Sequence, residues 1–127
     1  MTSPNPNPDL ETRTIPKDQL ADYFTRFTKH FLQPESTNRV DVEVLAPDWG
    51  DQFEAEGAHI VGITYDQKRD SLEFELEGGD HRIDNVREVR TAEGADGFVK
   101  AIEVVRDDGT REVARVNRLG LGPAASA

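Results

Sequence analysis

Between Leu72 and Glu77 apolar and acidic residues alternate without a break, Leu72, Phe74 and Leu76 against Glu73, Glu75 and Glu77. Successive side chains of an extended strand point to opposite faces, so this segment reads as a β-strand with one buried and one solvated face. Val40, Val42 and Val44 alternate with Asp41 and Glu43 in the same way. Residues 53–56 offer another extended piece, and the β-branched run over residues 59–65 reads as a well-buried strand. Residues 66–70 form a polar turn, and Gly78-Gly79-Asp80 supplies the next, where glycine is free to take positive φ. Ile83, Val86 and Val89 are spaced by three, which predicts a bent or bulged strand over residues 81–90. After a loop over residues 91–97, Asp107-Asp108-Gly109-Thr110 separates two β-type runs, residues 98–105 and 111–116, and Asp-Gly in that position is a strong hairpin signal.

The period differs near the start of the chain. Leu20, Tyr23, Phe24, Phe27 and Phe31 share one face of a helix, with Asp18 able to cap its beginning and Pro16 tolerated at its first turn. An aromatic stripe at helical spacing is read as a core face rather than a ligand groove. Alternating Asn and Pro in residues 4–8 suit a solvated arm. The expected organisation is therefore a disordered arm over residues 1–13, a single domain over 14–118 and a flexible tail over 119–127. The expected fold class is α+β: an N-terminal helix packed on a small five- to six-stranded antiparallel β-barrel or curved sheet, of Sm-like or SH3-like type.

Composition narrows the function classes. Leu, Ile, Val and Phe make up 30 of the 127 residues, enough for a lean core. No apolar stretch approaches the roughly 18 residues needed to span a bilayer, so no membrane association is expected. The N-terminal residues lack the basic start and apolar centre of a secretory signal, and the default location is the cytoplasm. The absence of cysteine excludes disulfides, thiolate nucleophiles and cysteine-ligated metals. The formal charge of −10 is unevenly spread. Residues 41–56 carry six acids and no base, residues 66–80 six acids against Lys68 and Arg69, whereas residues 81–118 are balanced at eight of each. Such a middle section repels phosphate backbones, so nucleic acid is not the expected partner.

The segments Gly50-Asp51-Gln52, Glu54-Ala55-Glu56, Gly62-Ile63-Thr64-Tyr65-Asp66, Asp70 with Leu72-Glu73, and Leu76-Glu77-Gly78 with Asp80-His81 stand in this order along the chain. Taken together they resemble a bacterial family of uncharacterised proteins, domain of unknown function 5335. The resemblance extends more weakly to Tyr23-Phe24, Glu103-Val104-Val105 and Asp108-Gly109-Thr110, and covers residues 15–118. Relatives often carry proline where this chain has Val86. The family brings no activity, cofactor or catalytic residue to carry over.

The residues that could carry chemistry or contacts are few. Asp80-His81 follows the glycine turn, and an Asp can orient an imidazole for acid–base work; adjacent strand residues, however, point to opposite faces, which argues against a direct pair. Ser71, Thr64 and Tyr65 are the hydroxyls at hand. Asp66 and Asp70 flank a turn near Asp48, Asp51, Glu54 and Glu56, where a hard cation could bind weakly, but the spacing matches no calcium loop and a solvated acidic face is the plainer reading. Trp49, in a turn-type context, could anchor a partner or cap the core. No catalytic, metal or cofactor site is assigned and no cofactor is expected; Trp49, Glu56, Asp66, Asp80 and His81 are the speculative interaction residues. The expected function is a non-enzymatic binding or assembly module acting through protein–protein contacts, as a homo-oligomer or with a protein partner. The alternative is a small-ligand-binding or metal-assisted hydrolytic protein using the acidic segments and His81, which requires a cleft that gathers His81 with Glu56 or Asp66.

Overall fold

The computed structural model describes residues 10–32, 38–46 and 50–118. Among these residues, eight strands form one antiparallel sheet that does not close. They are β1 (Glu11–Ile15), β2 (Asn38–Ala46), β3 (Gly50–Asp66), β4 (Ser71–Leu76), β5 (His81–Ile83), β6 (Val86–Glu93), β7 (Val99–Arg106) and β8 (Arg111–Arg118), in the spatial order β1-β6-β7-β8-β2-β3-β4-β5. A 3-10 turn (Lys17–Gln19) leads into α1 (Leu20–Phe31), the single α-helix among the described residues.

The protein is thus mostly β, and the expected five- to six-stranded Sm-like or SH3-like barrel is not what forms. Three local causes account for the difference. β1 is exposed along nearly its whole length, so it has no apolar alternation by which to be recognised; Glu11, Thr12 and Arg13, expected in the arm, pair with Glu93, Ala92 and Thr91 of β6. The stretch expected to be one bent strand breaks into β5 and β6 at Asn85, whose φ of 57° lies in the left-handed region. Conversely, the two pieces expected at residues 53–56 and 59–65 are one strand of 17 residues.

β3 bridges the two parts of the sheet. Its first part pairs with β2 as far as His59, and from Ile60 it pairs with β4. The change of partner follows Gly57, at φ 61°, which stands opposite a register shift in β2 and donates its N–H to Asp41 Oδ1 at 2.6 Å. A bulge with a left-handed glycine bends and twists a strand. The bend carries β4 and β5 out of line with the rest of the sheet.

The core gathers side chains from the sheet and from α1. Alternation in β2 buries Val40 and Val42, β4 contributes Leu72 and Phe74, and β7 contributes Ile102 and Val104. Leu20, Tyr23, Phe24 and Phe27 of α1 join the same cluster, as their spacing predicts. Phe98 packs edge-on against Phe27 and Phe31 at centroid distances of 5.5 and 5.1 Å. Thr28 ties the helix to β3, its hydroxyl donating to the Ile63 carbonyl and accepting from the Ile63 N–H. The helix begins differently from expectation: Gln19, not Asp18, occupies its N-cap, with no side-chain cap.

Candidate functional site

The β8 residue Glu112 is a carboxylate placed on the apolar side of the sheet. Alternation puts it on the face of Ala114 and Val116, and its neighbours across the ladders are Val44 of β2 and Val104 of β7. It is 4% exposed. A buried carboxylate must be paired and hydrogen-bonded to persist there. The partner comes from β5: His81 Nε2 lies 2.7 Å from Glu112 Oε1, and the imidazole stacks on Phe74, its cross-strand neighbour, at 6.3 Å and 20°. On the other oxygen, Arg106 stands 3.7 Å away, while its Nε donates to the Asp84 carbonyl at 3.0 Å. The result is a short polar chain, imidazole to carboxylate to guanidinium, that joins the end of β5 to the β7–β8 hairpin. Asp107 N–H donating to the Asn85 carbonyl reinforces the same junction.

His81 is therefore the sequence-singled residue with the most built surroundings, but its partner is one that sequence reasoning missed. Glu112 sits between Arg111 and Val113 in a charge-balanced strand, and only the buried phase of β8 (Ala114, Val116) marks it as inward-facing. Asp80 does not pair with His81; it accepts the Leu76 N–H at 3.2 Å and closes the glycine turn. Glu56 is exposed on β3. Asp66 accepts from the N–H groups of Lys68 and Arg69 at 3.0 and 3.2 Å and lines a depression of about 130 Å³ with Arg69 and Arg82. The geometry thus does not gather His81 with Glu56 or Asp66. Trp49 lies outside the described residues. No group of three or more His, Asp or Glu among the described residues is arranged to hold a metal ion, and His81 has no hydrogen bond to a hydroxyl there.

A second cluster surrounds Asp70, at φ 54° in the turn before β4. Lys17 Nζ reaches its Oδ2 at 2.7 Å and the Tyr65 hydroxyl donates to its Oδ1. Burial alone would raise the Asp70 pKa, but the hydrogen bonds from Lys17 and Tyr65 outweigh it and hold the carboxyl below its ordinary value. Burial, then the hydrogen bond to Asp70, pushes the Tyr65 phenol upward. The Lys17 contact fastens the 3-10 turn that leads into α1 to the β3–β4 turn.

The third feature lies at the β1 end. Tyr23 donates to Glu93 and approaches the Thr91 hydroxyl at 3.0 Å. Burial, followed by the bond to Glu93, pushes this phenol up to about 12, so it serves as a donor rather than a phenolate. Arg13 of β1 bridges to Glu93 at 3.2 Å and lies over the Tyr23 ring. Arg13, Tyr23 and Glu93, with Arg26, Phe27 and His30 of α1, line an open groove of about 330 Å³ beside β1.

Together these features define, among the described residues, a small mostly β protein, an open sheet held by polar clamps, with the end strand β1 beside a groove. The chain belongs to a family of unknown function (DUF5335), whose model matches residues 11–123. An uncharacterized protein of Aquifex aeolicus (strain VF5) is 36% identical over 108 residues, an alignment that covers 84% of this chain and 93% of that relative. No helix among the described residues is long and apolar enough to cross a membrane.

Proposed function

We propose that this chain is a non-enzymatic binding or assembly module that works through protein–protein contacts, with β1 as its docking element. The observation that supports this reading is the difference between the two ends of the open sheet. β5 has three residues and its continuation is tied by Asn85 and Asp84 to the β7–β8 hairpin. Very short, covered strands are a common way to blunt an edge. β1 has five residues, no described strand beyond it, and four exposed side chains. An edge of this kind presents unpaired backbone donors and acceptors to an incoming strand.

Light scattering and affinity capture with the full chain test the proposal, with hydrogen exchange used to map any contact. β1 amides gain protection in the self-assembled or captured complex. A strict monomer that captures no protein, or a complex in which β1 exchanges as it does in the free chain, overturns the reading.

A further inference from the structure

We infer that the occupant of the β1 edge is β1 of a second copy, paired antiparallel about a two-fold axis at Thr12. The inference rests on the docking role proposed for β1 and adds the partner and the register.

Glu11 carries the argument. Its cross-strand neighbour in β6 is Glu93, and like charges directly opposite are unfavourable. Arg13 bridges to Glu93; no ion pair with Glu11 is found among the described residues. Glu11, Arg13 and Ile15 share one face of β1 by alternation, and Thr12 and Thr14 share the other. When two copies of β1 are paired about Thr12, Glu11 of each faces Arg13 of the other, so both ends of the ladder gain an opposite-charge pair. The guanidinium has five donors in a fork and can serve Glu93 and the second copy's Glu11 together. Its side chain is 53% exposed, which leaves that approach open.

The register is selective. An axis at Arg13 would place Glu11 opposite Ile15 and Thr12 opposite Thr14, leaving Glu11 without a cation. It would also bring Pro16, which has no N–H, opposite Leu10. The axis at Thr12 pairs residues 10–14 and leaves Pro16 outside. Thr12 then faces its own copy on the solvent side of the sheet, away from Ile15 and the core. A ladder this short gives a dissociable dimer whose population rises with concentration and falls with salt, because the charge pairs lie at the surface.

The chain has no cysteine, so single cysteines report the register directly. Under mild oxidation Thr12→Cys forms a covalent dimer about ten-fold or more faster than Thr14→Cys, because only the residue on the axis meets its own copy at disulfide distance. Glu11→Arg weakens dimerisation measured by light scattering about ten-fold, and Glu11→Arg with Arg13→Glu restores it. A dimer in which Thr14→Cys cross-links as fast as Thr12→Cys overturns the register and leaves the docking reading standing. A strict monomer whose β1 amides are protected by a different, captured protein overturns self-pairing alone. A strict monomer with no capture ends both.

Discussion

His81 and Glu112 meet at 2.7 Å although their strands, β5 and β8, are four places apart in the sheet. The contact exists because the sheet curls after Gly57 and delivers β5 to the inner face of β8. It stabilises the curl in return, since the carboxylate has Val44 and Val104 on either side, with His81 bonded to Oε1 and Arg106 forming an ion pair 3.7 Å from Oε2. Glu112→Ala should cost about 2–3 kcal/mol, below the upper range for a fully buried pair because His81 and Arg106 keep some solvent access. His81→Leu should cost less, and the double variant less than the sum. A double-mutant cycle by urea denaturation should return a coupling on the order of 1–2 kcal/mol; additivity would mean that the contact contributes nothing.

Asp70 makes stability depend on acid pH. Its carboxyl titrates lower in the folded protein than in the unfolded chain, so the unfolded state binds its proton first as pH falls. The stabilisation from the Lys17 and Tyr65 contacts is complete above the ordinary aspartate range near pH ~4 and disappears as pH drops through the depressed native value. Asp70→Asn removes this charge but tolerates the left-handed φ of 54°, whereas Asp70→Ala loses both and should be less stable than Asp70→Asn by about 0.5–1 kcal/mol. Urea midpoints from pH 3 to 7 measure both effects: the acid slope should be shallower in Asp70→Asn than in the parent.

What was legible in the sequence was whatever buries one face. Leu72 to Leu76, Val40 to Val44 and the aromatic stripe from Leu20 to Phe27 all took their expected form, because burial of alternate or i, i+3, i+4 residues leaves a periodic trace. The Asp-Gly hairpin also formed, closed by Arg106 N–H to the Thr110 carbonyl at 2.8 Å. β1 left no trace because its strand character comes from pairing with β6, not from burial of its own side chains. Asn85 hid the break between β5 and β6, since a left-handed asparagine within a β-rich stretch carries no hydrophobic signal. His81 was visible as a candidate, but Glu112 was not, because its burial depends on a long-range curl.

The first acidic segment runs along the β2–β3 ladder, whereas the second lies along β4, which pairs with β3 only from Ile60 onward. Gly57 lies between them and is the point at which the strand turns. A Cβ built there meets nothing within 4 Å, so substitution strains the backbone without a clash. Gly57→Ala should therefore cost about 1–2 kcal/mol, the left-handed penalty for a residue with a Cβ, and Gly57→Asn should cost less because asparagine visits that region more readily. Thermal unfolding followed by circular dichroism gives the ranking; equal losses for the two variants would place the effect in packing and not in φ.

Both tyrosines of this chain are held in the neutral form. Burial and the hydrogen bond to Glu93 raise Tyr23 to about 12, and burial and Asp70 raise Tyr65. An ultraviolet titration of the native protein should therefore show almost no phenolate at pH ~10, where an ordinary tyrosine is half ionised. In the unfolded chain both phenols release protons from that pH upward, so stability is full below pH ~10 and falls as pH rises toward the native values. The ionisation step in the native titration should accordingly coincide with unfolding. Glu93→Gln removes the carboxylate that Tyr23 donates to, and should advance the Tyr23 part of the step while leaving Tyr65 in place. Asp70→Asn should do the reverse. A native protein that forms a full phenolate equivalent near pH ~10 without unfolding would show that one of the two hydroxyls is not held as described.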